Sequence, residues 1–201
     1  MKLLLINGCI RGSESRTRKL MLAFLEGLKE TPNPTLQYEQ LNLVEMSLKP
    51  LVGDFFEERQ RLLEKGNRTH PRFRFAHQFA EADRIVVAAP FWDLSVPAIV
   101  KIYIENISLD GVTFGCNADG MYGMCRAKEL LFLTTRGGFY ENGPMEQGAA
   151  YFRALCLMFG IPKFRCIYAE GIDFHPERES EIMTEALVEA REAGRTFCRT
   201  E

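Results

Sequence analysis

No apolar run in these 201 residues approaches the roughly 20 that a membrane-spanning helix needs. Neither sign of charge dominates. Lys and Arg number 25 against 27 Asp and Glu, a net charge of −2. That balance argues against nucleic acid or a membrane as partner, although a local basic patch stays compatible with it. The six cysteines, at 9, 116, 125, 156, 166 and 198, form no Cys-x-x-Cys pair, and the three histidines do not cluster with them. A metal site is therefore not expected, nor a secreted disulfide framework in so large and apolar a chain. Repeats, low-complexity segments and linkers are lacking too. The opening Met1-Lys2-Leu3-Leu4-Leu5-Ile6-Asn7-Gly8 is too short for a signal peptide and is followed closely by Arg11, so it reads as a buried first strand of a cytoplasmic protein.

What is present is an ordinary globular composition, 46% hydrophobic and 26% charged, enough for a single domain over 1–201 with a large core. Apolar runs alternate with helical patterns. Strands are predicted over 2–7, 36–41, 84–89, about 128–135 and 164–169. Helices are predicted over about 16–29, 54–65, 70–81, 96–107, 144–160 and 177–198. Pro97 would sit in the first turn of its helix with Ser95 as cap. Pro144 would open, and Gly160 close, the next one. The segment 110–127 reads as loop. Five strands interleaved with helices imply an α/β fold with a parallel, doubly wound sheet. The flavodoxin-like order 2-1-3-4-5 fits the length and puts a mononucleotide site at the carboxyl ends of strands 1, 3 and 4.

Those three ends carry the unusual loops. The first, Cys9 to Thr17, feeds a helix start, where free N–H groups and the dipole favour an anion. Ser13, Ser15 and Thr17 add hydroxyls, and Arg11, Arg16, Arg18 and Lys19 add charge. The set suits a phosphate and is equally compatible with an ordinary capped helix. It is neither Gly-x-x-x-x-Gly-Lys-Ser nor Gly-x-Gly-x-x-Gly, which disfavours ATP and a Rossmann-bound dinucleotide. The second loop, Pro90-Phe91-Trp92-Asp93-Leu94, could pack one edge of a flat aromatic ring, with Asp93 accepting from a ring N–H, or could be core filling around the single Trp. The third, Thr135-Arg136-Gly137-Gly138 with Tyr140, could let the backbone approach a ring closely or could be a tight turn. Arg136 would contact the ring's anionic oxygens or lie solvated at the surface. Three such loops at three matching strand ends favour one shared site.

At Ala89-Pro90-Phe91-Trp92-Asp93-Leu94, Asp110-Gly111-Val112-Thr113-Phe114, Thr135-Arg136-Gly137-Gly138 with Gly143-Pro144, and Ala169-Glu170-Gly171-Ile172, the chain resembles the FMN-dependent NADH:quinone oxidoreductases called azoreductases. The resemblance covers nearly the whole chain. It implies FMN as cofactor and NADH or NADPH as donor. Electrons would pass to a quinone, azo compound or nitro-aromatic by a ping-pong mechanism. It also implies a homodimer, whose partner-supplied wall would come from Phe55, Phe56, Phe73 and Phe75, unless that segment packs on its own core. Ser15, Arg16 and Thr17 match the family's phosphate stretch Ser-Gln-Ser. Cys9 stands where the family has serine, as packing or as a low-pKa thiol near a helix start. Phe91 to Leu94 match Met-Tyr-Asn-Phe beside the flavin. Thr135 to Gly138 match Ser-Arg-Gly-Gly, with Tyr140 as a nearby aromatic and possible substrate contact. Asp93 replaces the common Asn, and its charge is expected to lower the flavin potential. An electron-carrying flavodoxin, or another non-enzymatic FMN protein, is the competing reading; a flavin-free α/β binding domain is another.

Overall fold

The apolar runs become the strands of one sheet. In the computed structural model, which describes residues 1–199, the strands are β1 (Lys2–Asn7), β2 (Gln37–Asn42), β3 (Arg84–Ala88), β6 (Glu129–Thr135) and β7 (Lys163–Ala169). Thr200 and Glu201, the end of the expected domain, lie outside the described residues. All four pairings are parallel, in the order β2-β1-β3-β6-β7. Counted within this sheet alone, that is the expected order 2-1-3-4-5.

The helices are α1 (Arg16–Glu30), α2 (Gly53–Glu64), α3 (Arg74–Glu81), α4 (Ala98–Ile107), α5 (Gln147–Phe159) and α6 (Glu179–Phe197). They cover both faces of the sheet. Leu3, Leu5, Val86 and Leu131 pack under α1 and α6; Leu4, Ile6, Val87 and Phe132 pack under α3, α4 and α5. Burial on both faces explains why these strands read as continuous apolar runs rather than as alternation. The edge strand β2 departs from this: residues 37–40 are all exposed, so its alternation marks no core face. Among the described residues, no helix is long and apolar enough to cross a membrane.

Several boundaries differ from expectation. The segment 110–127 contains an antiparallel hairpin, β4 (Phe114–Asn117) with β5 (Gly120–Gly123). Its strands are four residues each and glycine-rich, too short to show a period. Helix α5 starts at Gln147, not at Pro144, because the Glu146 carboxylate accepts from the N–H groups of Ala149 (2.8 Å) and Ala150 (3.2 Å). Helix α4 starts at Ala98, with Pro97 as the flanking residue and Ser95 outside it in a turn. A 3-10 turn precedes both α3 and α6, over 71–73 and 176–178.

Helices α1 and α6 approach until their backbones touch. A Cβ on Gly27 would stand 1.9 Å from the Arg191 carbonyl oxygen, and one on Gly194 2.0 Å from that of Phe24. The obstruction is main chain on both sides, which cannot swing away. Arg191 and Arg195 both donate to Glu30 across the same interface, at 2.7 and 2.6 Å from their Nε atoms. Gly27→Ala should therefore lower stability in urea by about 1–3 kcal/mol, the cost of overpacking; an unchanged unfolding midpoint would contradict this contact.

Candidate functional site

Because the strands are parallel, the loops that follow β1, β3, β6 and β7 emerge at one edge. They are tied together by hydrogen bonds that continue the ladder past the strand ends. The N–H of Ala89 donates to Leu133 O (3.1 Å), that of Phe91 to Thr135 O (3.1 Å), and that of Arg136 to Ala169 O (2.8 Å). Between the loops lies a polar cleft of about 120 Å³. It is lined by the expected Ser15, Arg16, Pro90, Phe91, Trp92, Thr135, Arg136 and Gly137, joined by Arg11, Ile172 and Asp173. A larger cavity, about 520 Å³, lies at the amino ends of β1 and β2 beneath α3, between Lys2, Gln37, Gln78 and Glu81. Ligands of open α/β sheets bind outside the carboxyl ends, and every distinctive loop is there, so the smaller cleft is the candidate site.

The first loop offers main chain more than side chains. Ser15 caps α1, its Oγ accepting from the N–H of Arg18 (3.2 Å). That leaves the N–H groups of Arg16 and Thr17, at the positive end of the helix, for an outside acceptor. The Thr17 hydroxyl is no ligand donor: it is fully buried, 2.7 Å from the Thr135 hydroxyl. Nor is the Arg16 guanidinium free. Nε and Nη2 donate to Glu179 (3.0 and 2.6 Å) and Nη1 to Asp173 (2.9 Å). This pairing holds the Glu179 carboxyl below its usual range. Arg11, exposed on the cleft, is the cation left to face an anion. Cys9 lines a neighbouring cleft with Asn7, Gly12 and Arg18. It is buried, its Sγ 3.6 Å from Ala88 O, and burial pushes the thiol up to about 11. The low-pKa reading fails because desolvation outweighs Ser15 and Arg18; Cys9 is a packing residue.

The second loop is a tight turn. Trp92 and Ser95 exchange both main-chain hydrogen bonds (3.1 and 2.8 Å), with Asp93 at φ 48° and Leu94 at φ 64° between them. Two successive left-handed residues make this a type I′ turn, which favours Asn or Asp first. The backbone thus gives Asp93 a reason of its own. Leu94 has no such tolerance and is strained, a condition that clusters at functional sites. Both side chains project into solvent rather than lining the cleft. Phe91 packs inward against Tyr140 (ring centroids 4.7 Å apart), while Trp92, 45% exposed, stands at the mouth.

In the third loop, Gly137 and Gly138 have no positive φ; they are glycines because of what approaches them. A Cβ on Gly137 would collide with the Asp173 carboxylate, and one on Gly138 would press on the rings of Tyr140 and Phe174. Arg136 lines the cleft but is not solvated. Its side chain is 2% exposed, with Nη2 3.1 Å from Glu146 and Nη1 3.2 Å from Glu170.

Residues 1–193 match the flavodoxin-like fold family. An FMN-dependent NADH:quinone oxidoreductase of Clostridium beijerinckii is 33% identical over 184 residues, 92% of each chain. One from Clostridium perfringens is 32% identical over 197 residues, 98% of this chain and 99% of that one. The chain belongs to the FMN-dependent NADH:quinone oxidoreductase family. The crystal structure of an azoreductase from Bacillus anthracis superposes with a TM-score of 0.86 at 27% identity, over 98% of this chain and all of that one.

Within this family member, the residues that sequence reasoning missed are Glu146, Asp173 and Glu179, with Glu170 seen only as part of a matching block. Three act through a partner far away in the chain: Glu179 and Asp173 are 163 and 157 residues from Arg16, and Glu170 is 34 from Arg136, whereas Glu146 meets Arg136 across a single loop. A lone carboxylate in a loop gives no local signal of such pairing. The raised Cys9 pKa has a direct consequence. At pH 8 and without denaturant, iodoacetamide should alkylate the exposed Cys116 and leave Cys9 unmodified until unfolding. Rapid labelling of Cys9 in the native protein, read by peptide mass spectrometry, would contradict it.

Proposed function

We propose that this protein is an FMN-dependent oxidoreductase that takes electrons from NADH and passes them to quinones, azo compounds or nitro-aromatics. The observation that carries the reading is the convergence, at one sheet edge, of an uncommitted helix N-terminus, an aromatic turn and a glycine-lined backbone. The donor set fits the cofactor. Main-chain N–H groups of Arg16 and Thr17, with Arg11 nearby, suit its phosphate. Pro90, Phe91 and Trp92 and the backbone of Thr135 to Gly138 would flank its ring, Tyr140 backs Phe91, and Asp93, expected to accept from the ring, instead sits with Leu94 in the exposed turn at the rim. Ser15 serves as the cap that holds the first loop, and Cys9 packs beneath it.

When bound, FMN supplies the redox chemistry. The chain's own part is to bind, to orient and to exclude water. No side chain is needed as nucleophile. Thr17 and Thr135 are spent on one another and Ser15 on the backbone, which ties the start of α1 to the end of β6. The exposed Trp92 and Leu94 at the mouth give a planar donor or acceptor an apolar surface. One cleft serving donor and acceptor in turn gives ping-pong kinetics.

The working unit in this reading is a cytoplasmic homodimer of one domain per chain, and α2 supports it. That helix buries no residue, and Val52 and Phe56 beside and within it are 66% and 42% exposed. Of the four phenylalanines expected as a wall for the partner, Phe73 is excluded: it is 2% exposed in the core of its own subunit. Phe55 is half-buried, with the Arg72 guanidinium 3.6 Å from its ring centre, and Phe75 is half-buried against the same core. Phe56 remains the residue best placed to meet a second copy.

Purified protein should show a flavin spectrum and oxidise NADH rapidly with menadione present. Bound flavin with negligible turnover would indicate an electron carrier instead, and a colourless protein that takes up no FMN would refute the cofactor. Size-exclusion chromatography should give a dimer, which Phe56→Glu shifts toward monomer; a native protein that runs only as monomer removes the partner wall.

A further inference from the structure

We propose that Arg136 is a positioning residue: without touching the cofactor, its buried guanidinium locks three loops into the one arrangement that binds it. The proposal rests on the flavin reading above and concerns a residue whose guanidinium is buried and committed to two carboxylates.

Each contact of the guanidinium fixes a different piece of chain. Nη2 meets Glu146 at 3.1 Å, and that carboxylate also takes the N–H groups of Ala149 and Ala150, so it sets where α5 begins. Nη1 donates to Glu170 at 3.2 Å, and the same oxygen of Glu170 accepts from the N–H groups of Tyr140 (3.1 Å) and Glu141 (3.2 Å). Glu170 thus pins the descending arm of the glycine loop to the end of β7. The guanidinium carbon, Cζ, lies over the Tyr168 ring, 4.5 Å from its centre, and over that of Phe91 at 5.7 Å, which brings in the second loop. Phe91 is gripped in turn by Tyr140. One planar cation, carried by the third loop, therefore meets β7 and the residue that follows it, the second loop and the residue capping α5.

Stability alone is a poor reason for such a cluster. Burying charge costs more than apolar packing of the same volume would, and such clusters are often replaced without loss. Here Nε is buried with no acceptor among the described residues, a further cost. What the cluster supplies is a fixed geometry, since a guanidinium fork holds two carboxylates at set angles and an ammonium does not. The backbone from Thr135 to Gly138, which would face the flavin, hangs from that fork.

The test uses apoprotein titrated with FMN, followed through the fluorescence of Trp92, the single tryptophan, at the cleft mouth. Arg136→Lys keeps the charge and loses the fork. The expected result is a Kd for FMN raised at least tenfold, with far-ultraviolet circular dichroism unchanged. The visible circular dichroism of the flavin, measured at saturation, should fall by half or more. A second variant, Arg136→Met with Glu146→Gln and Glu170→Gln, removes all three charges while leaving acceptors for the four main-chain N–H groups. It should fold and bind FMN as weakly as Arg136→Lys. A folded variant with wild-type Kd and flavin dichroism overturns the proposal. So does a Kd that rises only in proportion to the unfolded fraction, or failure of both variants to fold, since either makes the cluster a stability element. Wild-type protein that binds no FMN overturns the flavin reading itself, and this proposal with it.

Discussion

A positive charge buried at the carboxyl end of β6 must be answered by negative charge, because an unpaired ion in that setting is costly: breaking such a pair by removing one partner typically costs roughly 3–5 kcal/mol. Arg136 is that charge, and Glu146 and Glu170 are the answer. The constraint propagates outward. Each carboxylate is itself held by two main-chain N–H groups, so satisfying the arginine also decides where α5 starts and how the chain leaves β7. The cleft is the gap left between segments held in this way. Its walls set the Phe91 and Trp92 rings beside the polar residues Arg11, Ser15, Arg16, Thr135 and Asp173, so one cleft offers both a flat apolar surface and polar partners.

The same economy governs the first loop. The Ser15 and Thr17 hydroxyls and the Arg16 guanidinium are committed inward, to Arg18, to Thr135 and to the carboxylates of Asp173 and Glu179. What remains for an anion is the helix terminus, with Arg11 exposed beside it. A phosphate bound there would be held by groups that the fold has already oriented, so little ordering remains to be done on binding. The type I′ turn at Asp93-Leu94 works in the opposite sense: strain at Leu94 is accepted so that Trp92 can sit at the rim.

The sheet was legible because strands buried on both faces leave unmistakable apolar runs, as in Leu3-Leu4-Leu5-Ile6 and Leu130-Leu131-Phe132-Leu133. The place of the site was legible for a related reason, since parallel strands put their distinctive loops at one edge. The hairpin at 114–123 escaped because four-residue glycine-rich strands have no measurable period. The start of α5 escaped because Pro144 is a strong local signal, whereas the deciding contact is the Glu146 side chain on the next turn. Side-chain direction was the least readable property. Arg16, Thr17 and Arg136 are the types that bind phosphate or flavin, yet each turns to a partner that only the folded chain brings near. The left-handed turn at Asp93 was hidden as well, behind a residue type that chemistry could explain equally well.

The contact between α1 and α6 has a consequence for how the molecule is made. Helix α1 carries the first loop, but Gly27 and Phe24 rest against the backbone of Arg191 and Gly194, and Arg16 is held by Asp173 and Glu179. The opening seventh of the chain is thus clamped by its closing fifth. On the ribosome, everything from β1 to β6 can emerge while the loop that begins the cleft still lacks its clamp. Ligand affinity should therefore arrive late in synthesis, and a nascent chain stalled before α6 would hold a nearly complete sheet with an unfinished mouth.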